Sequence, residues 1–319
     1  MTIPARQPKV ETRSRNQSSL LGLIRFWENP VIIKELRGRM RDRRTFVLLT
    51  IYLGLISAFV AIAYLLMTSD ASISNFNPNY RQTVGKTIFG TVVMIELLLV
   101  NFIGPGLTSG SITSEREHRT LDLLKTTLLS TREFVLGKLG ASIIYLLLLI
   151  FTVVPIQSLA FILGGVGFTE LAISSLMLVV TAVFFTSLGI FFSSTFKRTL
   201  AATVTSYGSI LLSFLGILFF LFSMAAFESF MYSGSGNNAL ENLTLLFIWF
   251  VISTNPILAA IFTEVILIQD QSILLTNSSV IGNSNFPLPS PWIIYVVTYS
   301  ILTIIFVGSS ILLVRRPEK

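Results

Sequence analysis

Side chains able to perform chemistry are scarce in this chain, and the missing types exclude several kinds of site. The sequence has no Cys, which excludes disulfides, thiolate metal sites and cysteine nucleophiles. Its one His, His118, argues against a histidine-rich metal site or a Ser-His-Asp triad. Gly85-Lys86-Thr87 matches the end of a phosphate-binding loop, but the first glycine of that motif would fall on Tyr80. The chain is therefore not predicted to hydrolyse ATP or to act as an enzyme by itself.

The densest cluster of charged residues predicts a docking surface instead. The charged run Glu115–Arg119 is followed by the leucine-rich run Leu121–Leu124. The spacing of Ser114 and Glu117 predicts a capping box at the start of a short helix, and a second box is predicted from Ser130. Charged residues around a small apolar patch suit contact with a soluble protein. We therefore expect two helices to meet here, at a cytoplasmic surface.

Membrane-spanning helices must position this surface. Of the 319 residues, 52% are hydrophobic and only 12% are charged, which is about half the charged share of a soluble domain. Apolar runs long enough to cross a bilayer as helices predict an all-α polytopic membrane protein with six transmembrane helices. The spans are expected at about residues 46–67, 87–111, 135–162, 171–195, 200–226 and 292–314.

The distribution of cations predicts the orientation of the spans. With six spans, 21 of the 23 Lys and Arg residues lie on one side, which the positive-inside rule assigns to the cytoplasm together with both termini. The net charge of +7 is therefore no sign of nucleic-acid binding. A further apolar stretch within residues 240–270 is interrupted by Asn255-Pro256. A seventh crossing there would place the basic C-terminus outside, so we expect external re-entrant or interfacial helices before the last span.

The segment before the first span predicts an amphipathic helix in the lipid headgroup layer. Residues 1–28 are expected to form a basic cytoplasmic tail, residues 29–45 this elbow helix, and residues 315–319 a second cytoplasmic tail. Asn29-Pro30 is a typical helix start. Ordinary flanking charge beside a span is the alternative. The apolar stripe of the helix is Ile32, Ile33, Leu36 and Met40, and its charged residues include Lys34, Glu35, Arg37 and Arg41.

One carboxylate lies inside a predicted span. A charged Glu96 at membrane depth would cost about 2.5 kcal/mol or more unless it is paired or hydrated. We expect Glu96, and with it Asn101, to face a cavity or a dimer interface. A structural hydrogen bond between helices is the alternative.

The region around the docking surface resembles a known family. Residues 115–124, 126–130 and 133–138 together resemble the signature of ATP-binding-cassette (ABC) type-2 permeases, and residues 29–37 resemble the elbow helix of that family. Arg119 and Leu128 stand where other residues are common in the family, but neither change removes the helix or its leucines. The resemblance covers about residues 29–314.

This resemblance implies the permease subunit of an ABC exporter in a bacterial inner membrane. Two permease chains, like or unlike, would pair, and each would dock a separate ATPase subunit that binds ATP and Mg. The coupling region would span residues 114–133. A non-transporting membrane scaffold that recruits a soluble partner is the alternative, and the sequence does not indicate the cargo. The helix that contacts the ATPase would contain Glu117, His118, Arg119, Thr120, Leu121, Asp122, Leu123 and Leu124.

Overall fold

A computed structural model describes residues 30–69, 80–120, 130–232, 238–269, 273–276 and 288–315. Six helices in these ranges are long and apolar enough to cross a membrane, or up to seven if a bent pair counts as one span. The predicted all-α polytopic architecture is confirmed. The helices are α1 (Pro30–Arg41), α2 (Arg43–Ser69), α3 (Tyr80–Thr108), α4 (Thr113–Glu117), α5 (Thr131–Leu163), α6 (Phe168–Thr195), α7 (Thr199–Tyr232), α8 (Asn238–Thr254), α9 (Pro256–Gln269) and α10 (Pro291–Arg315).

Helix α6 is the centre of the bundle, where it packs against α3, α5, α7 and α10. Its close approach to α3 depends on Gly189, because a Cβ at this position would collide with Thr108 and Pro105. Thr108 Oγ1 also donates a hydrogen bond of 3.0 Å to the carbonyl of Thr186. Small residues that let two helices approach closely are a common device for packing spans in a membrane.

The bent pair is α8 and α9, and the chain bends by 110° between them. The interruption that Asn255-Pro256 predicted is confirmed, because Asn255 lies between the end of α8 and the start of α9. Its Oδ1 accepts a hydrogen bond of 3.0 Å from the amide of Ile257, and its Nδ2 donates one of 2.7 Å to the carbonyl of Ser213 on α7. Asn255 thus caps α9 and ties the bend to a neighbouring span. The re-entrant position of this pair in a membrane stays a prediction.

One of the two predicted capping boxes is confirmed. At the start of α5 the amide of Glu133 donates to Ser130 Oγ over 3.2 Å, and the amide of Ser130 donates to Glu133 Oε2 over 3.1 Å. The box predicted from Ser114 and Glu117 is wrong. Ser114 lies inside α4, whose N-cap is Ile112 without a side-chain cap, and Glu117 bonds to another helix.

Candidate functional site

Helix α4 is held against the end of α6. The amides of Ile112 and Thr113 both donate to Ser193 Oγ, over 2.9 Å and 3.1 Å. These are amides at the start of a helix, which need partners outside it. Because a hydroxyl of α6 supplies the partner, no capping side chain from α4 itself is needed. The predicted cap at Ser114 fails for this reason.

The last turn of α4 contacts the loop between α6 and α7. Arg116 Nη1 donates to the carbonyl of Phe196 over 2.5 Å. Glu117 Oε1 accepts from the amide of Thr199 over 2.8 Å, and Glu117 Oε2 accepts from the hydroxyl of the same residue over 2.8 Å. Glu117 therefore caps the N-terminus of α7, where a negative charge is favoured by the helix dipole. The sequence placed Glu117 in the coupling region but did not show this contact.

Beyond α4 the chain turns at a solvent-exposed surface. Glu117, His118, Arg119 and Thr120 are all exposed, and Arg119 adopts a left-handed backbone with φ of 56°. The turn is closed by the amide of Thr120, which donates to the carbonyl of Glu115 over 2.9 Å. Four further predicted residues of the coupling helix, Leu121, Asp122, Leu123 and Leu124, lie outside the described residues. Their role stays a prediction.

A buried lysine joins the coupling region to the elbow helix. Lys138 on α5 is 5% exposed. Its Nζ lies 2.8 Å from Glu115 Oε1 on α4 and 3.2 Å from Glu35 Oε1 on α1. Glu35 lies in turn 4.0 Å from Arg39, and Arg39 Nη2 donates to the carbonyl of Leu107 at the end of α3 over 3.2 Å. The four side chains, called here the charged junction, connect α1, α3, α4 and α5.

The charged junction is only partly accessible to water. Burial lowers the pKa of Arg39 from its ordinary value, and the negative charge of Glu35 opposes this shift. Within the described residues, Arg39 Nη1 and Glu115 Oε2 are buried without a hydrogen-bond partner. Incompletely satisfied buried charges depend strongly on the partners that they do have. The geometry of the charged junction should therefore be sensitive to any movement of α4.

Sequence reasoning had named Glu35 but gave no role to Lys138, Glu115 or Arg39. The sequence did contain an indication of the role of Lys138, because this cation directly precedes the long uncharged run of the third span. A cation beside such a run is expected to pair with a carboxylate or a carbonyl. What the sequence could not show is which carboxylate, since Glu35 lies 103 positions away in the chain.

Lys34, Arg37 and Arg41, the other predicted charged residues of α1, point away from the charged junction. All three are exposed, whereas Ile32 on the same helix is 1% exposed. Helix α1 packs against α5. The predicted apolar stripe is thus only partly buried, because Ile33 and Met40 of the same stripe are exposed.

Glu96 lies in the interior of a single chain, not at a surface available to a second copy. It is 0% exposed. Its Oε2 accepts a hydrogen bond of 3.0 Å from Gln157 Nε2 on α5, and its Oε1 lies 3.5 Å from the hydroxyl of Tyr52 on α2. This is the interhelical hydrogen bond that the sequence left as the alternative. Asn101 is also buried, and among the described residues its Oδ1 has no hydrogen-bond partner.

The apparent phosphate-loop residues are part of a helix. Gly85, Lys86 and Thr87 lie within α3, so their amides take part in helical hydrogen bonding instead of forming a cradle. A Cβ on Gly85 would collide with the carbonyl of Gly164. The glycine is therefore explained by the close approach of the loop after α5.

An all-α bundle with six candidate spans among the described residues, and a charged turn fixed to several of them, defines a polytopic membrane protein. The sequence matches the family described as ABC-2 family transporter protein over residues 29–314. The chain belongs to that family and is the permease subunit of an ABC transporter. Membership implies partnership with an ABC ATPase. No curated protein matches the chain.

Proposed function

We propose that this chain is the transmembrane subunit of an ABC exporter and couples ATP hydrolysis in a separate subunit to movement of a substrate out of the cell. ATP and Mg are bound by that partner. A second permease chain completes the pathway, and both termini lie in the cytoplasm of a bacterium. The chain itself supplies no catalytic group.

The observation that carries this proposal is the attachment of α4 to the spans around it. Glu115 pairs with Lys138 on α5, Glu117 caps α7 at Thr199, and Ser193 on α6 holds the start of α4. Contacts of this kind leave α4 little freedom to move alone. A push on the exposed turn is therefore transmitted to α5, α6 and α7, which is what a coupling element must do.

The charged junction extends this connection to α1. Lys138 holds Glu115 and Glu35 at the same time, so displacement of α4 changes the forces on the elbow helix as well. Two elements that the sequence predicted separately thus act as one unit. A closing motion of two ATPase subunits would act on both and reshape the space between two permease chains.

The test begins with an affinity-tagged chain purified from its native membrane in mild detergent. The preparation should contain an ABC ATPase and should hydrolyse ATP. Replacing Leu121, Leu123 and Leu124 together by Ser should release the ATPase while the chain still inserts. The control is Arg315→Gln, because Arg315 is exposed at the end of α10 and lies outside residues 114–133.

Two results would contradict the proposal. Retention of the ATPase and of its full activity in the triple leucine variant would show that this region does not couple. A stable partner without ATPase activity would favour the scaffold alternative. Export is tested separately, by reconstituting the complex in vesicles and measuring ATP-dependent substrate flux once the cargo is identified.

A further inference from the structure

One face of α1 carries a compact group of cations. Lys34, Arg37 and Arg41 line a single shallow groove together with Ile33 and Gly38. Residues three, four and seven positions apart lie on the same side of a helix, and seven residues correspond to about 10 Å along its axis. Gly38 has no atom within 4 Å of the position of a Cβ. The backbone is therefore open to close approach between the cations.

The ion pairs of this helix lie outside the groove, because they join Glu35 to Lys138 and to Arg39. Lys34, Arg37 and Arg41 form no ion pair with a carboxylate within the described part of the chain. Glu35, the nearest acidic residue on the helix, is directed to Lys138, with 3.2 Å between the charged atoms. The internal ion pairs and the free cations thus lie on different faces of one helix.

Apolar side chains accompany the cations. Ile33 and Met40 are 47% and 49% exposed, and the first span, α2, begins at Arg43, directly after α1. A helix with exposed cations and exposed apolar residues beside the start of a span suits the boundary between lipid headgroups and acyl chains. Phospholipid headgroups at that boundary carry phosphate groups with which the cations can pair.

We propose that Lys34, Arg37 and Arg41 form a binding site for the phosphate groups of anionic phospholipids in the cytoplasmic leaflet. The preceding segment of this chain is a poor occupant, because residues 1–28 contain five Lys or Arg and only two Glu. Continuity with α2 places the groove at the membrane surface, which favours lipid over a soluble acidic protein. Arg pairs with phosphate through two parallel hydrogen bonds, whereas Lys acts as a point charge.

A lipid bound at this site would also fix the position of the coupling unit. The reverse face of the same helix bears Glu35 and Arg39, which belong to the charged junction. Occupation of the groove would thus resist displacement of α1 and, through Lys138, displacement of α4 as well. This consequence rests on the proposed function, whereas lipid binding itself does not.

The experiment measures binding of phosphatidylglycerol to the delipidated full chain in detergent by native mass spectrometry, with phosphatidylcholine as the neutral comparison. The test variant replaces Lys34, Arg37 and Arg41 by Gln. The matched control replaces Lys197, Arg198 and Arg315 by Gln, which removes the same charge from exposed positions elsewhere. Since all three cations of the groove lose their charge, the test variant should bind phosphatidylglycerol roughly a hundred-fold more weakly. The control should keep the preference for phosphatidylglycerol.

Equal loss of binding in the two triple variants would overturn the proposal, because it would show a response to net charge alone. Unchanged phosphatidylglycerol binding with loss of a co-purifying ATPase would also overturn it and would assign the groove to a protein partner. If the triple variant does not fold, Arg37→Gln and a salt titration of the unmodified chain replace it. Binding must then weaken as salt rises, because exposed charges are screened, and salt-independent binding would refute the site.

Discussion

Replacing Lys138 by Met should reduce the free energy of unfolding by about 3 kcal/mol. Removal of one partner from a buried ion pair costs about 3–5 kcal/mol, because an uncompensated charge remains in the interior. The substitution removes the cation 2.8 Å from Glu115, and it leaves Glu35 with only its longer contact of 4.0 Å to Arg39. The side chains of these carboxylates are 24% and 29% exposed. Water therefore reaches them in part, and the lower end of the range applies.

The assay is unfolding in mixed micelles followed by tryptophan fluorescence, performed as a double-mutant cycle with Glu115→Gln. The double variant should be more stable than the sum of the two single effects predicts, by about 1–3 kcal/mol, because the residues are in direct contact. Lys197→Met, at an exposed position, is the control and should change stability by no more than about 0.5 kcal/mol. A Lys138→Met variant within 1 kcal/mol of the unmodified chain, or strictly additive effects, would refute the reasoning.

Three further predictions concern single contacts. Glu117→Gln weakens the charged cap of α7, so amide hydrogen exchange at Thr199 should accelerate several-fold while exchange in the middle of α7 is unchanged. Gly189→Ala should destabilise the chain by about 1–3 kcal/mol through overpacking against α3, whereas Gly208→Ala, which meets nothing within 4 Å, should be neutral or stabilising in thermal unfolding. Glu96→Leu leaves Gln157 unpaired in the interior and should cost about 1–3 kcal/mol. Transport per folded molecule should nevertheless persist in this variant, and its specific loss would indicate that Glu96 takes part in substrate handling.

Much of the fold could be predicted from the sequence because a helix that crosses a bilayer needs about 20 consecutive apolar residues, which are visible in the sequence alone. Uncharged runs predicted six spans, and the described residues contain six helices long and apolar enough to cross a membrane, or up to seven with the bent pair. The Ser130–Glu133 box and the break at Asn255 were also correct, since both depend on neighbours within three residues. The second span was predicted to begin at residue 87, whereas α3 begins at Tyr80. Arg81 and Lys86 interrupt the uncharged run from which the start of the span was predicted.

The candidate site was predictable in location but not in its contacts. The charged run before the third span and the basic elbow helix were both identified, yet their connection through Lys138 was not. Glu96 shows the same limit. A carboxylate in a span signals a requirement for a partner, but only the packing of three helices shows that Tyr52 and Gln157 satisfy it within one chain.

The sequence by itself indicated the class of this protein and predicted six spans and the region expected to meet an ATPase, because hydropathy and cation placement are properties of local segments. The tertiary structure alone decided that Glu117 caps α7 instead of its own helix, and that Lys138 joins α4 to α1. These partners lie 82 and 103 positions apart. Ion pairs and caps depend on distances of a few ångströms in space, and helix packing brings such distant positions together.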